Sequence, residues 1–240
     1  MNLLPEIIAH RGAPREALEN TLESFEIALN QGADGLELDV HATRDGVVVV
    51  HHDPVVHRTS LANTSVVAIA DLDAKDVLML PLRGNGRVPT LDAVFELVGS
   101  RATVYVEVKG TGIEDAVVAC LKRHPGVRAA IHAFDHRIPV AVRRRRPDVS
   151  IGLLSASYPL DLAGFVGCAH AQALWQQASF IYQALVDNAH ALAMRVIAWT
   201  ENDNVHARSL IAMGVDALCT DTPGLLRAAL LDDQVGGVLS

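Results

Sequence analysis

The sequence predicts an α/β protein, a (β/α)₈ TIM barrel with a protruding β-hairpin and a small insertion after the second barrel strand. Short β-branched or apolar runs alternate with Ala/Leu-rich stretches of helical length along the whole chain, the pattern of repeated βα units. Eight candidate strands and eight candidate helices can be counted, which suggests closure into a barrel. With 240 residues, half of them apolar, the chain can bury one large core, and residues 1–240 are expected to form a single domain.

The first strand is expected to end near His10 in IIAHRG, and the second near Asp39 in GLELDV. The other six are expected to end near Lys109, Ala133, Ser155, Trp175, Thr200 and Asp221. Helices are expected at roughly 21–31, 90–99, 113–124, 136–146, 160–168, 180–192, 202–213 and 223–231. Asn20 followed by Glu23 reads as a capping box that opens the first helix, and Gly32 stands where that helix should stop. From 54 to 88 the alternation breaks, and this stretch is read as an insertion over the barrel mouth. The run Arg143 to Arg146, just before Pro147, suits the C-terminal end of a helix, where cations complement the macrodipole.

Bulk properties narrow the function. A net charge of −8 argues against a nucleic-acid partner, so an anionic substrate would need a local positive centre. Three cysteines (Cys120, Cys168, Cys219) leave one unpaired in any disulfide scheme and match no close-spaced metal motif, which favours reduced thiols and the cytoplasm. The opening MNLLPEIIAHRG lacks a basic flank with an apolar run of secretory length, and no segment approaches about 20 uninterrupted apolar residues. A soluble protein without stable membrane insertion is expected, acting on a small molecule; a homo-oligomer is compatible with this.

In such a barrel the C-terminal strand ends carry the chemistry. GLELDV places Glu37 and Asp39 on one face of the second strand, with Leu36, Leu38 and Val40 on the other. TVYVEVKG repeats the arrangement: Val104, Val106 and Val108 face outward, and Glu107 and Lys109 face the barrel interior near its top. Three inward carboxylates beside one lysine would repel one another unless a cation sat among them. Oxygen ligands of this kind select one divalent cation, Mg²⁺ or Ca²⁺. Lys109 is one of only three lysines against 17 arginines; it suits a phosphate oxygen, or alternatively a salt bridge to Glu107 or Glu37.

HATRDGVVVVHH, from His41 to His52, is too short for a helical crossover and must form a hairpin. A two-residue Asp45-Gly46 turn pairs Arg44 with Val47 and, further along both strands, Asp39 with His52, about 5 Å apart Cβ to Cβ. A three-residue turn would present His51 instead. His10 ends the neighbouring first strand, so two imidazoles converge on the carboxylates. Phosphodiester cleavage needs such a pair, one group taking a proton from the nucleophile and one protonating the leaving alkoxide. His41 is a weaker candidate for a rim contact.

These residues resemble the glycerophosphodiester phosphodiesterase family, over nearly the whole chain. The pieces that carry the resemblance are His10-Arg11-Gly12, Glu19-Asn20-Thr21, Glu37-x-Asp39, His52-Asp53-Pro54, Arg58-Thr59, Glu107-x-Lys109 and Trp199-Thr200, with GVDALCTD as the last strand. The resemblance implies hydrolysis of glycerophosphodiesters, such as glycerophosphocholine or glycerophosphoethanolamine, to glycerol 3-phosphate and an alcohol. It also implies that Glu37, Asp39 and Glu107 hold the divalent ion, that His10 and His52 are the acid/base pair, and that Arg11 and Lys109 bind phosphate. Trp199 would close over the substrate or serve as packing, and the helix cap accounts for Asn20. Leu18, Ala133 and Glu201 depart from the family pattern around the site, which bears on headgroup more than on reaction type. Two alternatives stand beside this reading: lysophospholipase D action under an apolar cap supplied by Val66, Val67, Ile69, Val77, Leu78 and Leu80, which can equally pack onto the barrel, and a non-catalytic barrel that only binds glycerophosphodiesters.

Overall fold

The computed structural model describes residues 4–59, 64–82, 86–167 and 169–236. In chain order its elements are β1 (Glu6–His10), α1 (Leu22–Asn30), β2 (Gly35–Ala42), β3 (Val48–Val50), β4 (Val55–Thr59), β5 (Thr64–Ala68), α2 (Ala74–Met79), α3 (Leu91–Val98), β6 (Thr103–Val108), α4 (Glu114–Arg123), β7 (Ala129–Ala133), α5 (Arg137–Arg145), β8 (Ser150–Ser155), α6 (Leu162–Gly167), β9 (Ala173–Gln177), α7 (Gln183–Ala191), β10 (Arg195–Trp199), α8 (Asn204–Ala212), β11 (Ala217–Thr220) and α9 (Pro223–Gly236). The strands β1, β2 and β6 to β11 are parallel neighbours, and β1 pairs with both β2 and β11, so the sheet closes. This is the expected (β/α)₈ barrel. Among the described residues no helix is long and apolar enough to cross a membrane.

Strand periodicity divides the core. Leu36, Leu38 and Val40 of β2 and Val104, Val106 and Val108 of β6 pack outward under the helices, in a layer that includes Phe25 and Phe95. The opposite face fills the barrel with Ile8, Tyr105, Trp175, Ile197 and Cys219. Trp175 fits because β8 has no side chain at Gly152: a Cβ there would lie 2.6 Å from the indole. Cys120 and Cys219 are buried free thiols; Cys168 lies outside the described residues.

Two local expectations are corrected. Thr21, not Asn20, caps α1, its Oγ1 accepting from Ser24 N at 3.2 Å. Asn20 has a left-handed backbone (φ 57) that turns its amide away from the helix. The second correction is the hairpin register. β2 and β3 pair Val40 with Val50, His41 with Val49 and Ala42 with Val48, which places Asp39 opposite His51. The turn is the three-residue Arg44-Asp45-Gly46, with Gly46 at φ 80. Thr43 Oγ1 donates to Asp45 Oδ1 at 2.6 Å and accepts from Val47 N at 3.1 Å, closing the longer loop.

The described residues of the 54–88 stretch build a small core on the hairpin. Val56, Ile69, Leu72, Val77 and Val88 are buried with Val49, and Val67, Leu78 and Leu80 pack against them. Of the six apolar residues that would serve either as a lipid-facing cap or as packing, most are thus packed, each fully buried one contributing about 1.5–3 kcal/mol, and Val66 alone is exposed. At the end of α5 Arg145 pairs with Asp115 and Arg143 donates to His170 O, as expected of structural arginines.

Candidate active site

The barrel mouth holds a cavity of about 130 Å³ lined by His10, Arg11, Glu37, His52, Glu107, Lys109, His132, Phe134 and Trp199, among others. Register brings these groups together. His10 is level with Glu37 across β1 and β2, Asp39 with Glu107 across β2 and β6, and Glu107 with His132 across β6 and β7.

His10 donates from Nδ1 to Asp221 Oδ1 at 2.7 Å, and its Nε2 stands 4.0 Å from Glu37 Oε2. An ionised carboxylate only accepts, so this bond fixes the tautomer and leaves Nε2 toward the cavity. Burial opposes charge on His10, but the Asp221 bond and the nearby Glu37 outweigh it and raise the imidazole pKa above its ordinary value. Asp221 is itself held by Asn202 Nδ2 at 2.8 Å. His52 lies beyond the last paired residue of β3, where the chain bends at 52–54, and this bend turns it into the cavity despite the shifted register. Its Nδ1 contacts Asp53 Oδ1 at 2.9 Å, and its carbonyl accepts from His41 Nε2 at 3.1 Å. His51 turns aside, with Nδ1 donating to Asp53 O.

Arg11 Nε lies 3.0 Å from Asp39 Oδ2, and Arg11 Nη1 donates to Glu19 Oε1 at 3.1 Å. Asn20 Nδ2 donates to Asp39 Oδ2 at 2.9 Å, and Lys109 Nζ reaches Asp39 Oδ1 at 3.5 Å and Glu107 Oε1 at 3.3 Å. Burial opposes ionisation of Asp39, but Arg11, Asn20 and Lys109 outweigh it and hold its pKa below the ordinary range. Glu107 goes the other way: burial, then the charge of Glu37, pushes its pKa up.

The chemistry of this donor set fits a divalent cation. Glu37 Oε2 and Asp39 Oδ1 are buried without a hydrogen-bond partner. Glu37, Glu107 and His132 each bring a ligand atom within 4.8 Å of the other two. Trp199 stands at the rim, edge-on to Phe134 at 5.5 Å, with a buried indole N–H that has no partner.

Sequence alone does not single out His132, Asp221 or the contact of Asn20 with Asp39. His132 shares inward parity with Ala130 and sits level with Glu107, a signal available from strand alternation. Asp221 was legible only as a strand end. The helix-cap signal at Asn20 hides its contact with Asp39.

The family model described as the glycerophosphoryl diester phosphodiesterase family matches residues 10–225. The chain belongs to the glycerophosphoryl diester phosphodiesterase family. It is accordingly a phosphodiester hydrolase. A glycerophosphodiester phosphodiesterase from Caldanaerobacter subterraneus is 32% identical over 232 residues, covering 92% of this chain and 95% of that protein. A crystal structure of a glycerophosphodiester phosphodiesterase from Thermotoga maritima superposes with a TM-score of 0.79 at 26% identity, over 95% of this chain and 99% of that one. An Oleispira antarctica phosphodiesterase, solved with the product sn-glycerol-3-phosphate, shares the fold with a TM-score of 0.83 at 24% identity, over 95% and 97% of the two chains.

Proposed function

We propose that this phosphodiesterase hydrolyses small glycerophosphodiesters to glycerol 3-phosphate and an alcohol, with His10 and His52 as the acid/base pair and one divalent cation, Mg²⁺ or Ca²⁺, held by Glu37, Asp39 and Glu107. The observation that carries this reading is the meeting of His10, His52, Arg11, Lys109, Glu37 and Glu107 in one small cavity. When bound, the cation supplies positive charge that offsets charge building on the phosphate.

Arg11 and Lys109 bind the phosphate oxygens, and the Trp199 indole N–H is free to donate to a substrate oxygen. His10, oriented by Asp221, moves a proton through Nε2 on one side of the phosphorus, and His52 does so on the other. Two routes of attack fit: the glycerol 2-hydroxyl forms a cyclic phosphate first, or water attacks directly. A phosphodiester without the neighbouring hydroxyl separates them, since unchanged turnover of it excludes the cyclic route. The buried free thiols of Cys120 and Cys219 support a reducing, cytoplasmic setting. The packed core of the 54–88 stretch supports small glycerophosphodiesters over lipid-like substrates.

The test is hydrolysis of glycerophosphocholine and glycerophosphoethanolamine with and without EDTA, by the wild type and by His10→Ala, His52→Ala and Glu37→Ala. Loss of activity on chelation, and a fall of about 10²–10⁴-fold in kcat for each histidine variant, is expected. Activity that survives chelation and both histidine changes sinks the proposal.

A further inference from the structure

We propose that His132 is a fourth ligand to the cation, making this a mixed nitrogen and oxygen site that favours a first-row transition ion such as Mn²⁺ over Ca²⁺. The proposal rests on the metal reading above and deepens it. His132 comes from β7, next to Glu107 on β6, and is 1% exposed. An imidazole so buried is normally hydrogen-bonded. Here Nδ1 has no partner, and Nε2 lies 3.7 Å from Glu37 Oε1, beyond hydrogen-bond reach.

The carboxylate across from it is short of a partner too, at its other oxygen. Glu37 Oε2 is buried and unpartnered, and Glu37, Glu107 and His132 converge within 4.8 Å. That spread matches ligands of a single ion, because two atoms bound at about 2.1–2.4 Å can be no further apart than twice that length. The ring has no freedom to turn away: it stacks on Trp175 with centroids 4.2 Å apart and planes 4° from parallel. Asp39 has Oδ2 taken up by Arg11 and Asn20 and offers the ion only Oδ1, which has no hydrogen-bond partner; this leaves room for a further donor on the β7 side. An imidazole ligand raises affinity for Mn²⁺, Co²⁺ and Zn²⁺ far more than for Ca²⁺, which takes oxygen almost exclusively.

Calorimetric titration of the metal-stripped full chain with Mn²⁺ and with Ca²⁺ tests the preference. Pulsed EPR of the Mn²⁺-loaded wild type, grown with ¹⁴N- or ¹⁵N-histidine, tests the ligand without any mutation. The expected results are Mn²⁺ bound at least tenfold more tightly than Ca²⁺ and a directly coordinated histidine nitrogen. In His132→Gln that coupling is expected to vanish, Mn²⁺ affinity to fall about 10–100-fold and Ca²⁺ affinity to change less than threefold, whereas His10→Ala and His52→Ala keep the coupling. Mn²⁺ binding without nitrogen coupling in the wild type, or coupling that persists in His132→Gln, overturns the assignment of His132 and leaves the metal reading intact. Binding of neither cation overturns the metal reading and this one with it.

Discussion

The 2.7 Å bond from His10 Nδ1 to Asp221 Oδ1 ties the end of the first barrel strand to the end of the last, across the seam where the barrel closes. It orients the imidazole and raises its pKa against the opposing effect of burial. Asp221→Asn removes the charge and leaves an amide that no longer stabilises the imidazolium. The limb of the pH–rate profile that belongs to His10 is expected to move to lower pH, and kcat/KM to fall about 10–100-fold, as is usual for a group that positions another. A pH profile of kcat/KM for both proteins checks this; an unmoved limb means that His10 titrates independently of Asp221 or does not govern the rate.

The hairpin shows why a correct strand assignment can still carry a wrong register. Asp45-Gly46 is a strong two-residue turn signal, yet Thr43 recruits Asp45 through its hydroxyl and lengthens the loop by one residue. His51 therefore pairs with Asp39, and only the bend after it returns His52 to the cavity. His52→Ala is expected to lower kcat about 10²–10⁴-fold, whereas His51→Ala, whose ring turns toward Asp53, is expected to keep kcat within about threefold. Steady-state kinetics of the two variants decides the matter, and equal losses would sink a proton-transfer role particular to His52.

Alternation made most of the site legible. Glu37, Asp39, Glu107 and Lys109 were placed at the mouth by the period of two, because an apolar residue on the opposite face fixes each strand's orientation. His132 obeys the same rule but stands alone among small apolar residues in AAIHA, so only its neighbour across the sheet gives it meaning. Asn20 depended on a single backbone torsion, φ 57, which propensity favours helix capping over and which only the packed loop reveals. Glu201, the departure beside Trp199, turns inward to contact His206 Nδ1 and to accept from Asp203 N at 2.7 Å, a pairing five residues apart that composition alone does not suggest.

Away from the mouth, Asp92 joins α3 to α4 by accepting from Arg123 Nε and Nη2 and contacting His124 Nε2. The Arg123 bonds lower its pKa from 3.8 to about 2. A carboxylate with a depressed folded-state pKa contributes stability that is complete above its unfolded value and is lost as pH falls through its folded one. The site is partly open to solvent, with the Asp92 side chain 26% exposed, so the contribution is discounted to about 1 kcal/mol. Urea unfolding is expected to find Asp92→Asn less stable than wild type by that amount at pH 7, with the difference shrinking below about pH 4 and vanishing only below about pH 2; a difference that does not shrink in acid would assign the loss to packing instead.

Gly152 offers a test of how the barrel interior supports the mouth. A Cβ at this position would lie 2.6 Å from Trp175 Cδ1 and 2.8 Å from Nε1, closer than packed atoms approach. The indole is 2% exposed, pinned between the stacked His132 ring and the edge of Tyr105 at 5.2 Å, so it cannot swing aside without moving His132. Overpacking of this kind costs about 1–3 kcal/mol, which in a domain of this size lowers Tm by about 3–10 °C. Gly126→Ala is the matched control, because nothing lies within 4 Å of its Cβ and the change only restricts the unfolded chain. Gly152→Ala is expected to lower Tm in calorimetry and to alter tryptophan fluorescence, while Gly126→Ala leaves Tm equal or slightly raised. Since the displaced indole carries His132 with it, Mn²⁺ affinity is expected to fall in Gly152→Ala and not in the control; a Gly152→Ala protein with unchanged Tm and fluorescence would mean that the barrel interior yields at Trp175.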